Sequence, residues 1–233
     1  MINLYKKELG YYLNSAMGYL IVVLFAVFAN FLFVKDIFIS SSSSMRPFFG
    51  LIPWLLMVFI PALTMRILSE EKRTNTIEVL LTLPVSETRV ILAKFLSLLT
   101  IMIISFVLTL GLPISLMLVT KIYLTEVVTG YLGVMLLSAS FISIAIFFSS
   151  QTKNQVFAFL TSFIAIFFLI VLSTDFLASV LPKFIQDATS YFSPIYHLQN
   201  FVKGVIDMRS VFYFLSLTAV FLFLSIVNLE KRN

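Results

Sequence analysis

Six stretches of 19 to 26 residues carry no charged side chain, and they limit the possible folds more than any other feature. A bilayer hydrocarbon core is about 30 Å thick, so a spanning helix needs about 20 such residues. The stretches are Leu9–Val34, Pro47–Met65, Phe95–Thr120, Val127–Thr152, Asn154–Thr174 and Ser210–Leu229. They are continuously apolar rather than alternating, which disfavours a β-barrel. We predict an all-α polytopic membrane protein with six transmembrane helices, forming a single domain over residues 1–233.

The composition excludes several other classes of protein. Hydrophobic residues make up 60% of the chain and charged residues only 12%, about half the charged share usual in soluble domains. A soluble or disordered chain is therefore disfavoured. The chain has no Cys and one His, so we expect no metal, disulfide or cofactor site. Basic residues never run beyond two adjacent positions, which argues against a nucleic-acid partner.

The segment Met1–Tyr12 mixes apolar and charged residues just before the first uncharged stretch. Lys6, Lys7 and Glu8 lie beside Leu4, Tyr5, Leu9 and Tyr12. This spacing predicts an N-terminal helix at the membrane interface that leads into the first span. A simple charged flank is the alternative interpretation.

The distribution of basic residues predicts the orientation. With six spans, both termini lie on one side of the membrane. That side holds Lys6, Lys7, Arg66, Lys72, Arg73, Arg89, Lys94, Lys153, Lys231 and Arg232. The other side holds Lys35, Arg46, Lys121, Lys183, Lys203 and Arg209. Because Lys and Arg are enriched in cytoplasmic loops, we expect both termini in the cytoplasm.

Polar residues inside the six stretches are few and uncharged. They include Asn30, Ser105, Thr109, Ser138, Ser140 and Thr161. We interpret most of them as helix–helix hydrogen-bonding residues. Ion-coupled transporters usually carry ionisable side chains at membrane depth, so an ATP-independent secondary transporter or channel is the less favoured alternative. Pro53, Pro61 and Pro113 predict kinks, with a hinge as the other interpretation.

The loop Arg66–Lys94, between spans two and three, contains the pattern of a short amphipathic helix. Asn75 followed by Glu78 forms a capping-box pattern, and Pro84 ends the helix at Leu83. Its apolar positions, spaced i, i+3 and i+4, are Ile77, Leu80 and Leu81. A helix of two turns is marginal alone. We therefore expect Asn75–Leu83 to pack against another surface, either a partner protein or the chain's own spans and the lipid headgroups.

A second long loop, Asp175–Arg209, separates spans five and six and is unusually apolar. Pro182 and Pro194 divide it into short pieces. We predict short helices at the outer side of the membrane, packed against protein, with protected backbone through Ala178–Ile185 and Ile195–Val202.

The stretch EEKRTNTIEVLLTLPVSETRVILAKF resembles the signature region of ABC-2-type exporter permeases. The matching residues are Glu70, Glu71, Arg73, Thr76, Glu78, Leu80, Leu81, Pro84, Val85, Ser86 and Lys94. KELGYYLNSAMGYL resembles the family's amphipathic entry helix. HLQNFVKGVIDMRSVFYFLSLTAVFLFL and PWLLMVFIPALTMR resemble the gliding-motility-associated (GldF-like) permeases within that family. The resemblance covers nearly the whole chain and is weakest over Val34–Met45 and Asp175–Tyr191.

This resemblance implies the membrane half of an ATP-driven exporter in a bacterial inner membrane. A second permease copy or homologue would complete the pathway, and an auxiliary membrane protein with a large outer domain is a further expected partner. ATP and Mg²⁺ would bind a separate nucleotide-binding subunit, since the chain has no phosphate-binding loop. The residues expected to couple to it are Glu70, Glu71, Arg73, Asn75, Thr76, Ile77, Glu78, Leu80, Leu81 and Pro84.

An intramembrane protease is the enzymatic alternative. Glu70 and Glu71 are similar to the acidic pair of prenyl-protein-type proteases, but these enzymes also need further histidine motifs, and His197 is the chain's one histidine. A Ser–His dyad would need Ser193 to be placed against His197. We therefore predict that His197 is a packed or interfacial residue and that the chain has no catalytic site. The substrate is not predicted by the sequence.

Overall fold

A computed structural model describes residues 1–40, 44–74, 86–120, 122–172 and 191–230 of the chain. The regular elements of these residues are all α-helices. In chain order they are α1 (Ile2–Leu13), α2 (Ala16–Ser40), α3 (Arg46–Thr64), α4 (Ser69–Arg73), α5 (Glu87–Thr109), α6 (Gly111–Val119), α7 (Leu124–Gln151), α8 (Gln155–Val171), α9 (Pro194–Val202) and α10 (Met208–Glu230). The predicted all-α class is confirmed for the described residues.

Five helical stretches are long and apolar enough to cross a bilayer. They are Ala16–Lys35, Arg46–Arg73, Glu87–Val119, Leu124–Gln151 and Met208–Glu230. The chain is therefore a multi-pass membrane protein. The remaining predicted span, Asn154–Thr174, contains α8, which has 17 residues. At 1.5 Å per residue α8 is about 25 Å long, slightly less than the hydrocarbon thickness. The last residues of that predicted span lie outside the described ranges.

The first membrane helix begins later than the sequence predicts. Residues from Leu9 to Leu13 belong to α1, and α2 begins at Ala16. Between them, Ser15 Oγ donates to Tyr12 O (3.0 Å) and accepts from Gly18 N (3.1 Å). A Cβ at Gly18 would lie 2.1 Å from Tyr12 O, so only glycine fits this close turn. The uncharged run Leu9–Val34 therefore contains a boundary between two helices, which is formed by the hydrogen bonds of Ser15 and by Gly18.

The long helix α7 forms the centre of the bundle and contacts α3, α5, α8, α9 and α10. Its side chains Leu137, Phe141 and Ile144 are fully buried. Two glycines allow close neighbours: the ring of Phe49 lies over Gly130, and Phe201 lies over Gly133. Large apolar residues and small contact positions thus alternate on one helix, as is typical of packed membrane bundles. By contrast, α2 and α10 expose long apolar faces suited to lipid.

Only part of the predicted interhelical hydrogen bonding is present. Ser140 Oγ donates to Phe214 O of α10 (3.2 Å), and Thr109 Oγ1 lies 3.0 Å from the Tyr131 hydroxyl. The prediction is wrong for Ser105, Ser138 and Thr161, whose hydroxyls donate to carbonyls of their own helices. A Ser or Thr hydroxyl reaches the carbonyl four residues earlier, so it needs no partner helix. The amide oxygen of Asn30 is buried and accepts no hydrogen bond from the described residues.

The prolines differ in their effect on the helices. Pro53 and Pro61 lie inside α3 without ending it. Pro113 follows the break between α5 and α6 at Leu110, which agrees with its predicted role as a kink.

The predicted outer segment Asp175–Arg209 includes the helix α9 among its described residues. Thr129 Oγ1 of α7 donates to Phe201 O at the end of α9 (2.7 Å). Leu198 and Phe201 are buried, so this part of the loop is packed. The predicted helix through Ala178–Ile185 lies outside the described residues.

Candidate functional site at the base of the second and third spans

A buried lysine joins three separate parts of the chain. Lys94 Nζ lies 2.7 Å from Glu71 Oε1 and 3.0 Å from Glu8 Oε1. The lysine side chain is 2% exposed, and those of Glu8 and Glu71 are 12% and 24% exposed. Glu8 lies in α1, Glu71 in α4 and Lys94 in α5. We call these three residues the Lys94 cluster.

The position of the cluster follows from local sequence. Glu8 directly precedes the first uncharged run, and Lys94 directly precedes the third. A charged residue next to an apolar helix is buried when that helix packs into the protein. Once buried, the charge needs a partner of opposite sign. Burying the lysine between two carboxylates meets that need. The cluster therefore fixes α1 and α4 to the start of the third span.

Tyr12 adds a second connection from α1. Its hydroxyl donates to Leu63 O near the end of α3 (3.1 Å). In a continuing helix Ile67 N would donate to Leu63 O, but here it donates to Thr64 O. The Tyr12 hydroxyl therefore supplies the hydrogen bond that Leu63 O lacks near the end of the helix. Burial, with the nearby charge of Glu8 as a second cause, raises the pKa of Tyr12 well above its ordinary value. The hydroxyl consequently stays protonated and able to donate.

The short helix α4 is also held by the end of α7, which is itself bonded to α10. Lys72 Nζ of α4 donates to Ser150 O of α7. Asn228 of α10 donates through Nδ2 to the same carbonyl (3.0 Å) and to Ser150 Oγ (2.8 Å). At the start of α4, the backbone N–H groups of Leu68 and Ser69 both donate to Ser149 Oγ (3.3 Å). The segment that leads into residues 75–85 is thus bonded directly to α7 and, through Glu71 and Lys94, to α5.

Glu70 and Arg73, the other described residues of the predicted coupling set, form a much weaker pair. Their nearest charged atoms are 3.8 Å apart, and the side chains are 32% and 62% exposed. An exposed pair of this kind adds little stability. Their side chains are therefore available at the surface, whereas Glu71 is committed to Lys94.

The remaining predicted coupling residues, Asn75, Thr76, Ile77, Glu78, Leu80, Leu81 and Pro84, lie outside the described residues. The predicted helix Asn75–Leu83 and its amphipathic face stay predictions. What the structure describes is the two ends of this loop, Thr74 after α4 and Ser86 before α5.

A cavity of about 310 Å³ lies between α1 and α4, next to the Lys94 cluster. Its lining carries both signs of charge. The charged residues that line it are Lys7, Glu8, Arg66, Glu70, Glu71 and Lys94. Such a mixed surface suits a polar protein partner better than a single small ion.

Three of these features were missed by sequence reasoning. The coupling set omitted Glu8 and Tyr12, although Glu8 stood out as an acid beside two lysines at an apolar boundary. Asn228 gave no signal, because one amide in an apolar run can point to lipid, to the headgroups or to another helix. Its role depends on the packing of α10 against α7.

His197 is a packing residue, as the sequence predicts. Its Nε2 lies 2.9 Å from Tyr191 O, its Nδ1 lies 3.1 Å from Ser210 Oγ, and its ring stacks on Tyr213 with centroids 4.1 Å apart. Since a carbonyl only accepts, Nε2 carries the proton and Nδ1 accepts from Ser210. Ser193 Oγ is buried and has no hydrogen-bond partner among the described residues. The geometry therefore does not form the Ser193–His197 dyad.

The described residues contain no group of three or more His, Asp or Glu side chains placed to hold a metal ion.

The family model described as ABC-2 family transporter protein matches residues 2–233. A search of curated proteins finds no match to the chain.

Proposed function

Because this chain belongs to the ABC-2 family of transporter proteins, we propose that it is the permease subunit of an ATP-driven exporter. A separate nucleotide-binding subunit binds ATP and Mg²⁺, and this chain supplies the membrane path. The observation that carries the proposal is the Lys94 cluster, in which one buried cation bridges α1, α4 and α5. Through this cluster, a nucleotide-binding subunit that contacts the loop Arg66–Lys94 would be connected to the membrane helices.

In this mechanism the predicted helix Asn75–Leu83 is the contact with the nucleotide-binding subunit. Its three apolar side chains would each gain about 1.5–3 kcal/mol from full burial, and a groove on that subunit would supply it. Movement of this helix pulls on α4, which is bonded to Ser149 and Ser150 of α7. Through Glu71 and Lys94 the same movement reaches α1 and the third span. The bundle thus responds as a unit.

We further propose six spans, with α8 as the fifth, in a bacterial inner membrane. Both termini and the Lys94 cluster lie on the cytoplasmic side, in line with the bias of basic residues. A second permease, identical or homologous, pairs with this one, and the gliding-motility-associated subgroup adds an auxiliary membrane protein with a large outer domain. The uncharged spans favour a cargo other than a small ion.

The test is Leu81→Asp, which puts a charge on the apolar face of the predicted helix. Thr82→Asp is the matched control, since at 100° per residue Thr82 lies away from that face. We expect both variants to insert in the membrane. Leu81→Asp should lose the nucleotide-binding subunit on affinity purification and lose ATP hydrolysis coupled to transport, whereas Thr82→Asp should keep both.

Two outcomes would contradict parts of the proposal. If Leu81→Asp binds the ATPase and couples normally, the helix is not the contact. If the wild-type chain, purified from its native membrane in mild detergent, brings no nucleotide-binding subunit with it, a self-sufficient carrier is the better interpretation.

A further inference from the structure

A groove separates the start of α3 from α9, at the end of the bundle remote from the Lys94 cluster. Its volume is about 250 Å³. The interior is apolar and is formed by Phe49, Pro53, Ile195, Leu198 and Val202. From Arg46 to Pro53, α3 rises about 10 Å, so the groove runs from the membrane surface into the depth of the acyl chains. We call it the α3–α9 groove.

The mouth of the groove is polar and carries two cations. Arg46, Gln199 and Lys203 line it, and all three are exposed. Arg46 is paired with Glu126 at 2.5 Å. The other nearby acid, Asp207, accepts from Asn200 Nδ2 (3.3 Å) and Arg209 N (3.0 Å). The described residues of the lining include no carboxylate, so they offer positive charge and amide donors at the mouth.

Both walls of the groove are held in place by contacts to α7. On the α9 side, Thr129 Oγ1 donates to Phe201 O (2.7 Å). On the α3 side, the ring of Phe49 packs over Gly130 and is fully buried. Gly50 is exposed on this wall, and a Cβ built there would have no heavy atom within 4 Å. The groove is therefore preformed, with open space directly over a glycine.

We propose that the α3–α9 groove binds an anionic phospholipid. The headgroup phosphate lies at Lys203, Gln199 and Arg46, and one acyl chain lies against the accessible apolar lining at Gly50, Ile195 and Val202. The charge and the depth of the groove carry the choice of ligand, because a cationic mouth above an apolar channel at the membrane surface matches an acidic headgroup above a hydrocarbon chain. The proposal requires only that the chain spans a membrane, and it is independent of the proposed partner and substrate.

The chain contains a natural reporter for this site. Trp54 is its one tryptophan, and it is 40% exposed. It lies one helical turn after Gly50, on the same face of α3. Bromine atoms on a lipid chain in the groove will quench its fluorescence.

The full chain is reconstituted in phosphatidylcholine vesicles containing a minor fraction of brominated phosphatidylglycerol or, in parallel, brominated phosphatidylcholine. At equal mole fraction we expect brominated phosphatidylglycerol to quench Trp54 more than brominated phosphatidylcholine does. Its apparent affinity should be about fivefold higher, because one cation near an anionic headgroup contributes about 1 kcal/mol. Equal quenching by the two lipids would overturn the proposal.

Two variants locate the effect. Lys203→Gln removes a cation that has no acid partner among the described residues, and Gly50→Leu adds a side chain whose Cβ has no heavy atom of the described residues within 4 Å. Each should bring the ratio of the two affinities to about one. Arg209→Gln removes an equal charge at the same end of the chain but outside the groove, and it should leave the ratio unchanged. A preference for phosphatidylglycerol that survives Lys203→Gln or Gly50→Leu would show that the lipid binds elsewhere.

Discussion

At the scale of single residues, the charged side chains directly before the apolar runs make the contacts that hold separate helices together. Glu8 and Lys94 each precede such a run, and they meet in the folded chain although they are 86 positions apart. A lysine this deeply buried would lose much of its hydration, and Glu8 and Glu71 replace it. The same two side chains connect α1 and α4 to the third span, so stability and coupling depend on the same contacts.

Lys94→Met should lower the free energy of unfolding by about 3 kcal/mol, the low end for breaking a buried ion pair, because Glu8 and Glu71 keep some solvent. Two facing carboxylates would then lack their cation. Arg73→Met is the matched control; its exposed pair with Glu70 should leave stability within about 0.5 kcal/mol of wild type. Thermal unfolding in detergent measures both, and equal effects of the two variants would mean that the Lys94 cluster is not a structural contact.

Tyr12→Phe should cost about 1–2 kcal/mol, because Leu63 O loses its donor at a buried helix end. Burial raises the pKa of Tyr12, so the folded state holds the phenolic proton more tightly than the unfolded state. That contribution is complete below the ordinary tyrosine pKa and is lost as the pH rises above it. The variant should therefore lose less stability than wild type in alkaline buffer. Parallel alkaline losses would show that Tyr12 is not the buried group that titrates.

At the scale of elements, glycines of α7 decide how closely its neighbours approach. A Cβ at Gly133 would lie 2.7 Å from Phe201 Cβ and 2.9 Å from Leu198 Cδ1. Neither helix can give way easily, since Thr129 also holds the end of α9. The loop before the last span is consequently packed on α7 at a point where only a hydrogen fits.

Gly133→Ala should displace α9 and destabilise the protein by about 1–3 kcal/mol through overpacking. Hydrogen exchange through Ile195–Val202 should become faster. Gly50→Ala, at a helical glycine with open space, should be neutral or stabilising by up to about 1 kcal/mol. Unchanged exchange in Gly133→Ala would mean that α9 is not held by this contact.

At the scale of the whole molecule, the structure is a bundle around α7 with apolar outer faces. Helices α2 and α10 expose rows of large apolar side chains such as Val27, Phe28, Phe212 and Phe223. In water these surfaces would drive aggregation, but in lipid they are the expected exterior. The charged side chains lie outside the six uncharged runs, and we expect the bias among the basic ones to set the orientation in the membrane.

The predicted orientation is testable without removing native thiols, since the chain has no Cys. We expect Ser42→Cys and Lys183→Cys to react with an impermeant maleimide added to intact cells. Thr74→Cys and Lys231→Cys should react only after the membrane is opened, because they lie on the side with more basic residues. Labelling of either of the latter in intact cells would reverse the topology or change the number of spans.

Much of the fold could be predicted from the sequence because bilayer thickness limits the length of a span. Five of the six uncharged runs contain a helix long enough to cross a membrane. Boundaries were less accurate, as at Leu9–Leu13, because Ser15 and Gly18 break the helix without adding a charge. Part of the site could also be predicted: Glu71 and Lys94 belong to the recognised stretch, whereas Glu8, Tyr12 and Asn228 were added by the structure.

The sequence by itself determined that this protein is helical, crosses a membrane repeatedly and belongs with ABC-2 permeases, since these depend on length, hydropathy and local motif. The tertiary structure alone decided which residues meet. The bond between Asn228 and Ser150 joins positions 78 apart, and the α3–α9 groove brings together Arg46 and Lys203. An apolar helix can present any face to lipid or protein, so these pairings depend on how neighbouring helices pack around α7.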